Sequence, residues 1–451
     1  MVLKLKMKKL TAPRSKRYFF PILLLTLTIS VTPGYAEPLT SADKEVLRDS
    51  IVISARQDFL AQVSKMTNKT SNLVFHVDPL LSETLSRQIK IDSQFTSDYF
   101  ANVRPIEEKV HIYMAPTSDF QYFIDNMEPT LTEQGNYGNW IENKANQAKK
   151  DPLFMGGGAP EHDKNGDGVF MMYGPNDMQP GKNEWTALTS HEFTHLVQRK
   201  IMKQDFSPLY SWMVEGQADY IGGNIGTRNS NLAFASYWAG LIQTVARNSN
   251  HPEMLSWSAA EFVKWFKDSE VTLDPSTGKV GDVGTETYIF GAIAMQYLYG
   301  TYGSDAVNNL FKNFASSVGS QCPRGASEGN PNCTPARNAA FKKAIGINLS
   351  DFYPKVASFI VRQISWSNEV SKSLSSDLST FAPPPFTVEQ LQPPYTGVSA
   401  PVDKSITYPP GPAPGKTCTK SKATATLWGA KMTCIKGIWK LNPGQVLHPP
   451  K

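Results

Sequence analysis

The sequence predicts an α+β protein. A helix-covered mixed sheet forms an N-terminal lobe, a mainly helical lobe follows, and a histidine-bearing helix stands between them. Three observations carry that prediction. In the first part of the chain, short runs of β-branched and aromatic residues alternate with helical periodicity, the pattern of a sheet covered by helices. After residue 186 long segments with apolar residues on one side dominate. Between the two regimes stands His191-Glu192-Phe193-Thr194-His195, with Phe193, Leu196 and Val197 as apolar packing and Asn183 or Ser190 as N-cap.

Residues 1–36 have the layout of a secretory signal peptide. Lys4, Lys6, Lys8, Lys9, Arg14, Lys16 and Arg17 give a positive start, Phe19 to Val31 an apolar core, and Gly34-Tyr35-Ala36 a small-x-small cleavage site. The core is short for a membrane span and Pro21 interrupts it, so no stable transmembrane segment is expected after cleavage. An uncleaved anchor is the alternative. The expected location is extracellular or in the cell envelope. The chain has a net charge of +5, and these seven basic residues, with no acidic residue among them, more than account for it: the remainder is near −2. No basic stripe remains that would favour nucleic acid.

The N-terminal lobe is expected over 37–185. Ala42 to Met66 reads as one helix, with Val46, Leu47, Ile51, Phe59, Leu60 and Val63 on its apolar side. Residues 72–77 and 109–114 read as strands, with a helical stretch through Phe100 between them and a helix over 120–127 after them. His76 and His111 alternate with apolar neighbours and read as ordinary strand residues. Residues 134–168 are polar and Gly-rich and read as loop. Within them, Asp163-Lys164-Asn165-Gly166-Asp167-Gly168 has the form of a calcium loop, in which Asp163, Asn165 and Asp167 would offer oxygens to Ca2+. The match is incomplete, since position twelve is Gly174 rather than glutamate, leaving Asp177 or Glu184 to close such a site. Asx-rich turns take the same form without metal, and both readings stand. Residues 169–173 read as a strand.

The helical lobe is expected over 186–381, with helices at 232–245 and 259–265 and one entered at Tyr288 that ends near Tyr302-Gly303. Residues 382–417 contain ten prolines and read as a stiff extended linker. Residues 418–441 form a module too small to fold on core burial alone. Four cysteines in an exported chain point to disulfides, and local pairing of Cys322 with Cys333 and of Cys418 with Cys434 is the simplest of three connectivities. The small module is either a contact with the cell envelope or a passive tail.

His191 and His195 share one helix face, where two imidazoles can reach one cation, and Glu192 lies beside that face, within reach of a water on it. A catalytic zinc takes three protein ligands and keeps one position open. Glu215, in Trp212-Met213-Val214-Glu215-Gly216-Gln217-Ala218-Asp219-Tyr220, is the natural third ligand, and Asp219, one turn on, is placed to hold the outer N–H of a liganding histidine. H-E-x-x-H followed twenty residues later by E-x-x-x-D resembles the gluzincin metallopeptidases, the thermolysin-like and M1-like zincins. The resemblance implies a zincin-type catalytic domain that binds one Zn2+ through His191, His195 and Glu215. It makes Glu192 the general base toward a zinc-activated water and Asp219 the residue that orients a ligand. It also implies a peptide or protein as substrate. Tyr288-x-x-Gly291 matches in form the element whose tyrosine stabilises the oxyanion in the M1-like branch, and His251 is the competing donor, as in the thermolysin branch. In gluzincins the strand ahead of the zinc helix is commonly the sheet edge along which a peptide lies, which here points to 169–173; a buried core strand is the alternative. A clear G-x-M-E-N element is lacking, and Gly158-Ala159-Pro160-Glu161 only echoes it, so endopeptidase action is favoured over aminopeptidase action. Two rival readings share the site: a catalytically silent exported binding protein that keeps its zinc, and a zinc hydrolase of a non-peptide amide.

Overall fold

A computed structural model describes residues 39–374, except 40, 67–71, 102, 104, 132–140, 148–154, 159–161, 176–182, 203–208, 229, 249–250, 271–283 and 319–332. It also describes residues 423–441, except 428–429 and 436–437. The expected signal peptide, the Pro-rich linker, Cys322 and Cys418 lie outside the described residues.

The fold is α+β, largely helical with one small mixed sheet in the N-terminal part. Its first helical stretch is not the single helix that periodicity predicts. Arg48 has a φ of 57° and separates α1 (Ser41–Leu47) from α2 (Ser50–Ser64). Asp49 starts the second helix by accepting a hydrogen bond from the Ile51 N–H at 2.9 Å. The strands β1 (Leu73–Val77) and β2 (Val110–Pro116) flank α3 (Glu83–Phe100), and α4 (Gln121–Asn126) follows β2.

The stretch read as loop holds two further elements, a helical turn over 141–147 (α5) and a short strand, β3 (Gly156–Gly158), before β4 (Gly168–Gly174). The sheet order is β1-β2-β4-β3, with β1, β2 and β4 parallel and β3 antiparallel. Of the two readings of residues 169–173, sheet edge and buried core strand, the structure has the buried core strand. The strand β4 is interior and buried along its whole length, because both of its faces are covered. Phe170 and Met172 join Val110, Ile112 and Met114 in the main core, while Val169, Met171 and Tyr173 pack with Phe120, Phe123 and Ile141 on the opposite face. The terminal strand on that side is the three-glycine β3.

Beyond the sheet come α6 (Asn183–Ile201), α7 (Ser211–Gly226), α8 (Asn231–Asn248), α9 (Ala259–Asp268), α10 (Thr285–Asn313), α11 (Thr334–Ile345) and α12 (Leu349–Leu374). The helix α6 begins at Asn183, so Ser190 is not its cap. Ser190 lies inside the helix, buried, and its hydroxyl meets that of Thr96 on α3 at 2.8 Å, tying α6 to the helix that covers the sheet. Gly303, at φ 80°, interrupts α10 where the sequence places a helix end.

The crossing of α7 and α10 decides where the functional side chains meet. Gly216 and Gly291 face each other so closely that a Cβ on Gly216 would lie 2.3 Å from the Gly291 carbonyl carbon. One on Gly291 would lie 2.5 Å from the Trp212 carbonyl oxygen. Only two glycines let these backbones touch.

Residues 424–441 form a separate antiparallel sheet of β5 (Thr424–Leu427), β6 (Ala430–Ile435) and β7 (Ile438–Leu441), in which Cys434 pairs across with Trp439. Cys333 and Cys434 are buried, and neither is a free thiol. No helix among the described residues is long and apolar enough to cross a membrane.

Candidate metal centre

The helix α6 sets His191 and His195 on one face with their rings nearly perpendicular, 84° apart, and their Nε2 atoms 3.0 Å from each other. From α7, Glu215 brings Oε2 to 3.4 Å from His191 Nε2 and 3.3 Å from His195 Nε2. The outer ring nitrogens are both engaged. His191 Nδ1 lies 2.6 Å from Asp219 Oδ1, and His195 Nδ1 lies 2.9 Å from Gln198 Oε1. The Gln198 amide is oriented by its own donations to Val214 O, at 2.8 Å, and to Gln217 Oε1, at 3.0 Å. Each imidazole therefore donates outward and turns Nε2 inward.

Glu215 Oε2 is buried with no hydrogen-bond donor in normal geometry. Two nitrogens and a carboxylate oxygen thus converge on one point, an arrangement that a cation satisfies. Ligands on a tetrahedral zinc stand about 3.3 Å from one another, given its usual bond lengths. The distances here match, so the residues fit zinc.

Electrostatics point the same way. Burial disfavours a charged His191 ring, but Asp219, Glu215 and Glu192 outweigh it and hold its pKa well above the ordinary imidazole value. The field at this point favours positive charge, and a proton on His191 is the competitor a metal must displace. Burial alone would lift Glu215, but His195 and His191 hold it far below the usual carboxyl range.

Glu192 is buried, and its pKa is raised. Burial lifts it, the two imidazoles pull it down, and Glu215 and Asp219 push it up again. Over it runs β3. A Cβ on Gly157 would lie 2.5 Å from Glu192 Cγ and 2.7 Å from Oε1, so only glycine lets the edge strand pass this close to the carboxylate. The Tyr173 phenol packs in the same way under Gly156 and is held protonated by burial and by Glu192.

Tyr288, at the start of α10, stacks on His191 with ring centroids 5.9 Å apart and planes 20° apart. Burial and the surrounding carboxylates, Glu215 first, hold its pKa well above the ordinary phenol value, so it stays a donor. His251, the competing donor, is bonded to Glu253 at 2.9 Å in the turn before α9. The calcium-like loop lies beside His111 of β2. Asn165 donates its amide to Asp163 Oδ2 at 3.1 Å, and the carboxylates of Asp163 and Asp167 converge with His111.

Gln198 escapes the sequence reading, and so do Gln217 and Tyr299, which extend the chain of contacts from His195: Gln217 donates to the Tyr299 hydroxyl at 3.0 Å. The available signal is a glutamine three residues after the second histidine, on the same face of the helix as the two histidines. Gln198→Leu is expected to weaken zinc binding roughly 10–100-fold without unfolding the chain, the usual cost of freeing a ligand's outer nitrogen. Competition with a zinc chelator measures it, and an unchanged affinity would show that this contact does not orient His195. No family model, curated protein or solved structure matches this chain.

Proposed function

We propose that the chain is an exported zinc-dependent metallopeptidase with a gluzincin-type centre on a zincin-type catalytic domain. The observation that carries the reading is the convergence of His191 Nε2, His195 Nε2 and Glu215 Oε2, with both outer nitrogens engaged. His191, His195 and Glu215 would hold the ion. Bound zinc supplies Lewis-acid polarisation of a carbonyl and lowers the pKa of a water toward neutrality.

The remaining chemistry belongs to the chain. Glu192, beside the ligands, takes a proton from the attacking water and passes it to the leaving amine. Its raised pKa suits a base that must also give the proton back. Tyr288, held protonated, donates a hydrogen bond to the oxygen that gains charge as the carbonyl is attacked. The peptide lies along β3, whose outer edge offers main-chain N–H and C=O groups for strand addition. Glycine at 157 leaves no side chain between that strand and Glu192.

The test pairs metal analysis with a broad peptide and protein panel read by mass spectrometry, on the full chain and on Glu215→Gln. One zinc lost in the variant, together with cleavage seen only in the parent, is the expected result. A folded parent that takes up zinc at this centre yet cleaves nothing across the panel would overturn the peptidase reading. A folded parent that takes up no zinc would overturn the metal assignment as well.

A further inference from the structure

A second cluster of metal-ligating side chains lies outside this centre. Donor atoms of His111, Asp163 and Asp167 all fall within 4.8 Å of one another. Each aspartate spends one oxygen on the backbone: Asp163 Oδ1 accepts from the N–H groups of Asn165 and Asp167, at 2.8 and 2.9 Å, and Asp167 Oδ1 accepts from the Lys109 N–H at 3.1 Å; Asp163 Oδ2 also accepts from Asn165 Nδ2 at 3.1 Å, which leaves it a further lone pair. Asp167 Oδ2 is left facing His111 Nε2, at 3.6 Å. His111 Nδ1 is occupied by His76 Nε2 at 2.9 Å, and His76 is itself pinned by stacking on Tyr113, with ring centroids 4.2 Å apart. An imidazole with its outer nitrogen held by a neighbour and its other nitrogen turned to two carboxylates has the orientation of a metal ligand. Asp163 is only 5% exposed, so the cluster is not a chance group of surface acids.

The donor types decide the class of ion. Calcium takes oxygens alone, whereas one imidazole with two carboxylates suits a first-row transition ion. The place in the fold suggests what such an ion does. Asp163 and Asp167 sit on the connection between β3 and β4, and His111 sits on β2. An ion held by all three ties that connection to the middle of the sheet, and the other end of the connection is the strand that passes over Glu192. We propose that His111, Asp163 and Asp167 form a second divalent transition-metal site, which braces the β3–β4 hairpin against β2. The proposal does not depend on the peptidase reading, since its test counts bound metal rather than turnover.

The full chain is dialysed against Zn(II), Mn(II) or Ca(II) alone, freed of excess and analysed for metal, alongside His111→Gln, Asp167→Asn and Glu215→Gln. Near-ultraviolet circular dichroism checks that each variant is folded, and the two cluster variants stand in for each other if one is not. The expected result with Zn(II) is two equivalents in the parent and one in each variant. Loss of both cluster substitutions' effect, so that His111→Gln and Asp167→Asn bind as much metal as the parent, would overturn the proposal and leave a His111–Asp167 contact that holds no metal. Binding of Ca(II) alone, indifferent to His111→Gln, would overturn the assigned class of ion.

Discussion

Glu192→Gln is expected to lower kcat for peptide hydrolysis by at least roughly 10²–10⁴-fold, the span that a positioned general base contributes, while zinc content and substrate KM stay near those of the parent. Glutamine keeps the size and most of the hydrogen-bonding shape of the side chain but cannot accept a proton. The substitution therefore isolates the chemical step. Glu192 is not among the converging ligands, so the metal should remain, and Gly157 leaves just enough room for a side chain of this size beneath β3. A parallel loss of zinc would mean that Glu192 helps to hold the ion. Unchanged turnover would remove it from the chemistry altogether.

The candidate centre is legible in the sequence because helix geometry converts the convergence of side chains into fixed spacings. His191 and His195 must be four apart to share a face, and Asp219 must follow Glu215 by one turn to reach His191 from the same helix. What spacing cannot convey is which strand lies over the site. Residues 169–173 carry the apolar, β-branched and aromatic signature of a strand, which fits a sheet edge and a buried core strand equally. The actual edge is Gly156-Gly157-Gly158, whose composition reads as loop. Glycine is there because Glu192 and Tyr173 occupy the space of any side chain, a tertiary fact with no local signature. His111 is a similar case. Its alternation with Val110 and Ile112 marks a strand residue, and only the folded hairpin brings Asp163 and Asp167 beside it. The N-terminal helix fails differently: periodicity runs through Arg48 without a break, while the positive φ of Arg48 ends one helix and Asp49 caps the next.

Gly291→Ala is expected to destabilise the fold by about 1–2 kcal/mol net and to cut activity at the same time. Two effects compete at this position. Alanine favours a helix over glycine by about 1 kcal/mol. Against this, the new Cβ would stand 2.5 Å from the Trp212 carbonyl oxygen and 3.1 Å from Gly216 Cα. These neighbours are backbone atoms of a buried helix, which cannot swing aside as a flexible side chain would, so overpacking costing about 1–3 kcal/mol or more should win. The helices must part to make room, and the parting separates Glu215, next to Gly216, from Tyr288, less than one turn before Gly291. The Tyr-x-x-Gly pattern therefore has a packing reason: the glycine closes the gap that lets the tyrosine reach His191 and Glu215. Tyr288→Phe is the control, since it removes the hydroxyl and leaves the crossing intact. It should lose activity with little change in the denaturant midpoint, whereas Gly291→Ala should lose both. If Gly291→Ala unfolds at the parent's midpoint, the close crossing of α7 and α10 is absent, and the position of Tyr288 needs another cause.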